Sequence, residues 1–113
     1  MTEARRGELW LIDLGEPLRH EQGGLRPGLV VSHGGWNQHG PTVTVLPLTR
    51  TQYRLPTRVE IEPDPHNGLR ETSYARCEDI RSVSDRRLVR RLGEVDAFVM
   101  FAIAGTIRRF LDV

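Results

Sequence analysis

The sequence predicts a mainly β protein, an antiparallel β-barrel with one α-helix at its C-terminal end, and three observations predict it. Short β-branched or alternating segments recur at close spacing, which favours hairpin-linked antiparallel strands over βαβ units. Clusters rich in glycine, proline and asparagine separate them. Only the stretch from Ala97 onward carries a helical signature. At 113 residues the chain is expected to form one domain, residues 1–113, able to bury a single core and too small for two.

A first strand is expected within residues 5–14, entered from a basic arm at Arg5-Arg6 and left at Gly15-Glu16-Pro17. A polar loop then carries His20, Glu21 and Gln22 towards Arg26. Gly23 and Gly24 let its backbone bend closely, while Pro27 fixes its own φ and disfavours helix at Arg26. Arg26 is therefore expected at the mouth of a strand. Leu29, Val30 and Val31 follow as a continuous apolar run, which reads as a strand buried on both faces.

Residues 33–41 hold three glycines and a proline and read as a turn-rich loop. Residues 42–49 are β-branched and form a third strand, with Pro47 expected at its end or on an edge. Residues 58–62 alternate apolar and charged side chains, the pattern of a strand with one wet face, and residues 63–68 form a turn. Residues 72–83 supply one more strand, with Tyr74, Arg76 and Glu78 on one face and Cys77 turned to the core. Asp96 is an N-cap candidate, and Arg108 and Arg109 sit where cations favour a helix C-terminus. Residues 97–104 are apolar around the whole helix. In so small a domain this points to cover from a partner subunit.

Composition sets limits. All sixteen basic residues are arginine, none is lysine, and fifteen acids leave a formal net charge of +1. Arginine's planar fork suits phosphate or carboxylate, although the net charge alone argues for neither. The one cysteine, Cys77, excludes an internal disulfide framework and a multi-cysteine metal site, which suits a reducing, cytoplasmic setting. Residues 1–7 are polar with no cleavable apolar region after them. The longest apolar run, 97–104, falls well short of the roughly 20 residues a membrane span requires, so no membrane partner is expected.

The candidate chemistry lies in dispersed polar residues. Arg76 and Glu78 at period-two spacing put a cation and a carboxylate within reach of one substrate group, and the same spacing describes an ordinary surface ion pair. His20-Glu21 reads as a loop site or as solvated surface, and Thr49 as a functional hydroxyl or as β-propensity. His33 and His39 show no recognised ligand spacing with His20 and Glu21, so no metal is expected, and no cofactor motif is present. Trp36 and Tyr53 are either base-stacking platforms or packing plugs. Together these groups fit the cleavage of RNA, which carries its own nucleophile in the 2′-hydroxyl. Glu78 can serve as base, His20 can bind or protonate the phosphate, and Thr49 can hydrogen-bond its oxygens. The very high pKa of arginine makes charge stabilisation the role for Arg26 and Arg76.

The ordered set Arg6-Gly7-Glu8-Leu9-Trp10, His20-Glu21-Gln22, Gly24-Leu25-Arg26-Pro27, Pro41 through Thr49, Leu55-Pro56-Thr57, Val59-Glu60-Ile61 and Arg76-Cys77-Glu78-Asp79-Ile80-Arg81-Ser82 resembles the MazF/PemK toxins of type II toxin-antitoxin modules, and within them the Kid/PemK branch. The resemblance covers nearly the whole chain. It implies an SH3-like antiparallel barrel, a homodimer, and a metal-independent, sequence-specific endoribonuclease that cleaves single-stranded RNA through a 2′,3′-cyclic phosphate. Arg26 and Thr49 match one catalytic pair, while His20, Arg76 and Glu78 match a second set, with Glu78 where the branch carries aspartate. Glu21, Gln22, Arg50 and Arg81 are expected at the RNA, with residues 50–55 and 33–40 as specificity loops. The resemblance also implies a cognate antitoxin over the active site, with DNA met only through the toxin–antitoxin complex. Two rivals share the fold: a protein-binding toxin like the CcdB gyrase poisons, and a catalytically inactive RNA- or antitoxin-binding module.

Overall fold

The computed structural model describes residues 2–17, 19 and 22–113. Among the described residues, seven strands form one strongly bent antiparallel sheet: β1 (Glu8–Asp13), β2 (Leu25–Val30), β3 (Thr42–Thr49), β4 (Arg58–Ile61), β5 (Ser73–Arg76), β6 (Arg81–Ser84) and β7 (Leu88–Glu94). A short helix α1 (Gly34–His39) lies between β2 and β3, and α2 (Ala97–Leu111) follows β7. The order is β4-β5-β3-β2-β1-β7, with β6 also pairing with β3. This is the mainly β, barrel-like fold with a C-terminal helix that the pattern predicts.

The ends of the sheet meet through a turn instead of a ladder. Residues 63–68 form the expected turn, in which Asp64 Oδ1 accepts from the backbone N–H groups of His66 and Asn67 at 2.7 and 2.9 Å. Buried Asn67 donates to the Glu62 carbonyl at 2.8 Å. The turn then lies against β7, where the Glu94 N–H donates to the His66 carbonyl at 3.0 Å. Gly68 has φ +73°, and a methyl there would collide with the Leu92 carbonyl. Glycine is needed because two backbones touch at this seam.

Both faces of the sheet are apolar. Leu9, Leu29, Leu46, Leu48, Ile61, Ala75 and Cys77 pack on one side with Ile103 of α2. Ile12, Val30, Val43, Val45 and Val83 pack on the other. Leu29 and Val30 are both fully buried on opposite faces, as their continuous apolar run requires.

Four expectations need correction. Residues 33–41 are not a plain loop but hold α1, because His33 Nδ1 accepts from the Gly35 N–H at 2.9 Å and buried Asn37 ties the turn to the Ala4 carbonyl at 3.0 Å. This local cap and the long-range Asn37 bond override the low helix propensity of glycine. Pro47 is neither at a strand end nor on an edge, for it lies inside the central strand β3, paired with Gly28. On its other side, β6 ends at Val45 and β5 begins at Leu48, so the missing N–H breaks no ladder there.

The same gap explains why residues 72–83 are not one strand. Opposite Leu46 and Pro47 the chain leaves the ladder as a 3-10 turn, Cys77–Asp79, and rejoins β3 as β6. Glu78 is therefore on a turn and not on a strand face with Arg76, although Cys77 is fully buried as expected. Finally, Arg26 sits inside β2, paired with Ile12, and not at a strand mouth.

Strand β7 escapes the periodicity reading. Its Leu-Val-Arg-Arg-Leu-Gly-Glu sequence does not alternate, and its register against β1 shifts twice.

Candidate functional site

Ladder register places the candidate residues before any side chain is considered. Gly28 of β2 opposes Pro47 of β3, Thr49 opposes Tyr74 of β5, and Arg76 opposes Arg58 of β4. Because side chains repeat every two residues, Arg26, Thr49, Tyr74, Arg76 and Arg58 share one face of the bent sheet. Arg26 and Thr49 of one candidate set and Arg76 of the other thus lie on one face.

Arg26 and Thr49 line a groove of about 870 Å³ with Arg50, Arg70 and Arg90 on its walls. Arg26 is exposed, with its Nε donating to the Gly23 carbonyl at 3.3 Å. Thr49 is 8% exposed, and its Oγ accepts from the Thr51 N–H at 3.2 Å. That use of a lone pair leaves the hydroxyl proton to be donated elsewhere. Arg50 is exposed and pairs with Glu71 at 3.0 Å.

The second set forms an ion-pair network around the 3-10 turn. Glu78 Oε1 accepts from the Thr57 hydroxyl at 2.9 Å, and Oε2 accepts from Arg58 Nε at 2.9 Å and Arg76 Nε at 3.4 Å. Burial pushes the Glu78 carboxyl up, but the bonds from Arg58 and Thr57 outweigh it and hold the group below the usual carboxylate value. Glu78 is a carboxylate at neutral pH. Arg76 also pairs with Asp79 at 3.5 Å, and its side chain is only 9% exposed. Arg81 pairs with Asp79 at 3.8 Å and donates to the Gln22 carbonyl at 2.5 Å, while the Gln22 N–H reaches Asp79 at 3.5 Å. Gln22 is thereby tied to the same network. His20 and Glu21 lie outside the described residues.

Residue by residue, then, Arg26, Thr49 and Arg50 meet in the groove, and Arg76, Glu78, Arg81 and Gln22 meet beside the turn. The Arg76–Glu78 pair exists for a different reason than period-two spacing: the turn folds the carboxylate back onto the arginine. Arg58 and Asp79 escaped the sequence reading. Arg58 looked like one charged position in an alternating strand, and only the β4–β5 register sets it against Arg76. Among the described residues, no three of His, Cys, Asp and Glu converge as metal ligands.

A bent antiparallel sheet backed by a C-terminal helix, with cations and a hydroxyl on one face and a held carboxylate on the adjoining turn, defines the class. The chain belongs to the PemK-like, MazF-like toxins of type II toxin-antitoxin systems, whose family model matches residues 5–111. It is 36% identical over 90 residues to the endoribonuclease MazF of Staphylococcus saprophyticus, covering 78% of this chain and 74% of that one. Among solved structures it is similar to MazF from Deinococcus radiodurans, with a TM-score of 0.86, 25% identity and full coverage of both chains. It is also similar to an endoribonuclease in complex with its cognate antitoxin from Mycobacterial species, with a TM-score of 0.82 and 29% identity over 97% of this chain and 96% of that chain.

Proposed function

We propose that this toxin is a metal-independent endoribonuclease that cuts single-stranded RNA at specific sequences and is neutralised by a cognate antitoxin seated over the groove. One observation carries the reading: the exposed Arg26, Thr49 and Arg76 share one face of the sheet, and the adjoining turn brings the Glu78 carboxylate onto Arg76. The residues themselves support a division of labour. Arg26 is the accessible cation and binds the phosphate, and Thr49 donates its free proton to a non-bridging oxygen. Arg76, mostly buried, works as a fixed positive charge strengthened by low local dielectric.

Glu78 receives the 2′-hydroxyl proton. Its Oε1 is held by a neutral Thr57 hydroxyl, which can rotate away to free that oxygen. The 2′-oxygen then bonds to phosphorus as the bond to the 5′-oxygen breaks, and His20 protonates that leaving oxygen. The products are a 2′,3′-cyclic phosphate and a 5′-hydroxyl. The low basicity of Glu78 makes it a modest base, so electrostatic stabilisation of the phosphorane by the arginines supplies the larger share of the rate. Two copies of the chain assemble through the apolar face of α2.

The test is incubation of purified protein, with EDTA, on a long single-stranded RNA and mapping of the new ends. Discrete cuts with cyclic phosphate ends, lost in Arg26→Ala, support the proposal. Intact RNA with folded wild-type protein overturns it.

A further inference from the structure

We infer that Arg58 is a positioning residue that fixes the 50–57 loop relative to Glu78 and so presents the Tyr53 ring as a stacking platform for an unpaired RNA base. This rests on the ribonuclease reading and deepens it.

One guanidinium holds three partners. Nε and Nη2 both reach Glu78 Oε2 at 2.9 Å, while Nη1 donates to the Thr51 carbonyl at 2.6 Å. Its carbon lies 5.2 Å from the centre of the Tyr53 ring, within cation–π range. The Arg58 side chain is 5% exposed, so it acts on RNA through what it holds and not by contact.

The loop needs such a hold. Tyr53 and Arg54 are consecutive residues in the left-handed region, at φ 54° and 53°, where non-glycine residues seldom sit without support. At the loop's start, the Thr51 N–H is bonded to the Thr49 hydroxyl. Arg58 therefore closes a circuit from the groove hydroxyl through the loop to the carboxylate. Tyr53 is 72% exposed, and its aromatic face is the type of surface on which single-stranded bases stack. With phosphate held at Thr49 and a base at Tyr53, the arginine fork sets the spacing between the bond that is cut and the nucleotide that is read.

The experiment maps cleavage ends on a long single-stranded RNA and measures kcat and KM on a short oligonucleotide containing the wild-type site, for wild type, Arg58→Lys, Arg58→Gln, Tyr53→Phe and Tyr53→Ala. Arg58→Lys keeps the charge but loses the fork, so its cleavage consensus should broaden at one nucleotide position. Tyr53→Ala should lose preference at that same position and raise KM about ten-fold, in line with one lost base stack, while Tyr53→Phe stays within about two-fold of wild type. A purely structural role would lower the amount of active enzyme without moving the consensus. Arg58→Lys and Tyr53→Ala with the wild-type consensus and KM overturn the inference, and this pair decides it even if Arg58→Gln does not fold. An inactive wild type would instead overturn the ribonuclease reading itself, and the inference with it.

Discussion

At the scale of single residues, the charges on the sheet face act through pairing and not through number. Glu78 and Glu8 are both held below the usual carboxylate value. Burial raises each, and the bonds from Arg58 and Thr57 on one, and from the Arg5 backbone, Arg91 and Trp10 on the other, outweigh it. A depressed folded pKa contributes stability that is present above the unfolded carboxylate value and is lost as pH falls through the folded value. Acid titration followed by circular dichroism should therefore show unfolding below about pH 4.5, shifted and shallower in Glu78→Gln. Arg26→Ala should lower kcat/KM about 100- to 1,000-fold without changing the melting temperature, since Arg26 is exposed and its loss removes only charge stabilisation. Cys77 behaves oppositely: burial, with the Glu78 charge adding to it, pushes its thiol up to about 12. It should resist iodoacetamide at pH 8 until the protein is unfolded, as mass spectrometry of the labelled protein would show.

At the scale of elements, the caps and seams carry testable energies. Asp96 caps α2 through its side chain on the Val99 N–H at 2.8 Å, so Asp96→Ala should cost about 1 kcal/mol in denaturant unfolding. Gly68→Ala should cost more, on the order of 2–3 kcal/mol, because it combines a left-handed backbone with a collision at the sheet seam. Most elements were legible at this scale, because β3, β4 and the cap of α2 follow from alternation and hydrogen-bond chemistry. Those that were not share a cause. In α1, β7 and the split at Cys77–Asp79, the local signal is weak and a distant partner decides: Ala4 for Asn37, β1 for β7, and the gap beside Pro47 for the turn.

At the scale of the molecule, α2 is only half covered. Ile103 and Thr106 face the core, but Phe98 and Phe101 are each 82% exposed. Two such rings expose enough apolar area that covering them contributes on the order of 6 kcal/mol before the costs of association. Sedimentation should find a dimer at micromolar concentration, and Phe98→Glu with Phe101→Glu should convert it to a folded monomer. Monomeric wild type under the same conditions would refute the assignment of this face to a second copy.

The linear sequence settles the kind of protein and names the candidates for its chemistry. Periodicity, punctuation and an ordered run of motifs follow from local chemistry, so the antiparallel class, the C-terminal helix and the family could be read without coordinates, and Arg26, Thr49, Arg76 and Glu78 could be named as candidates. What only the tertiary structure decided is how those groups are held. Arg58 binds Glu78 because β4 and β5 pair in one register, and a one-residue slip would turn it to the other face. The carboxylate meets Arg76 because Pro47 leaves a gap that bends the chain. Sequence encodes which groups are present, but long-range pairing sets the few ångströms and the local field on which their chemistry depends.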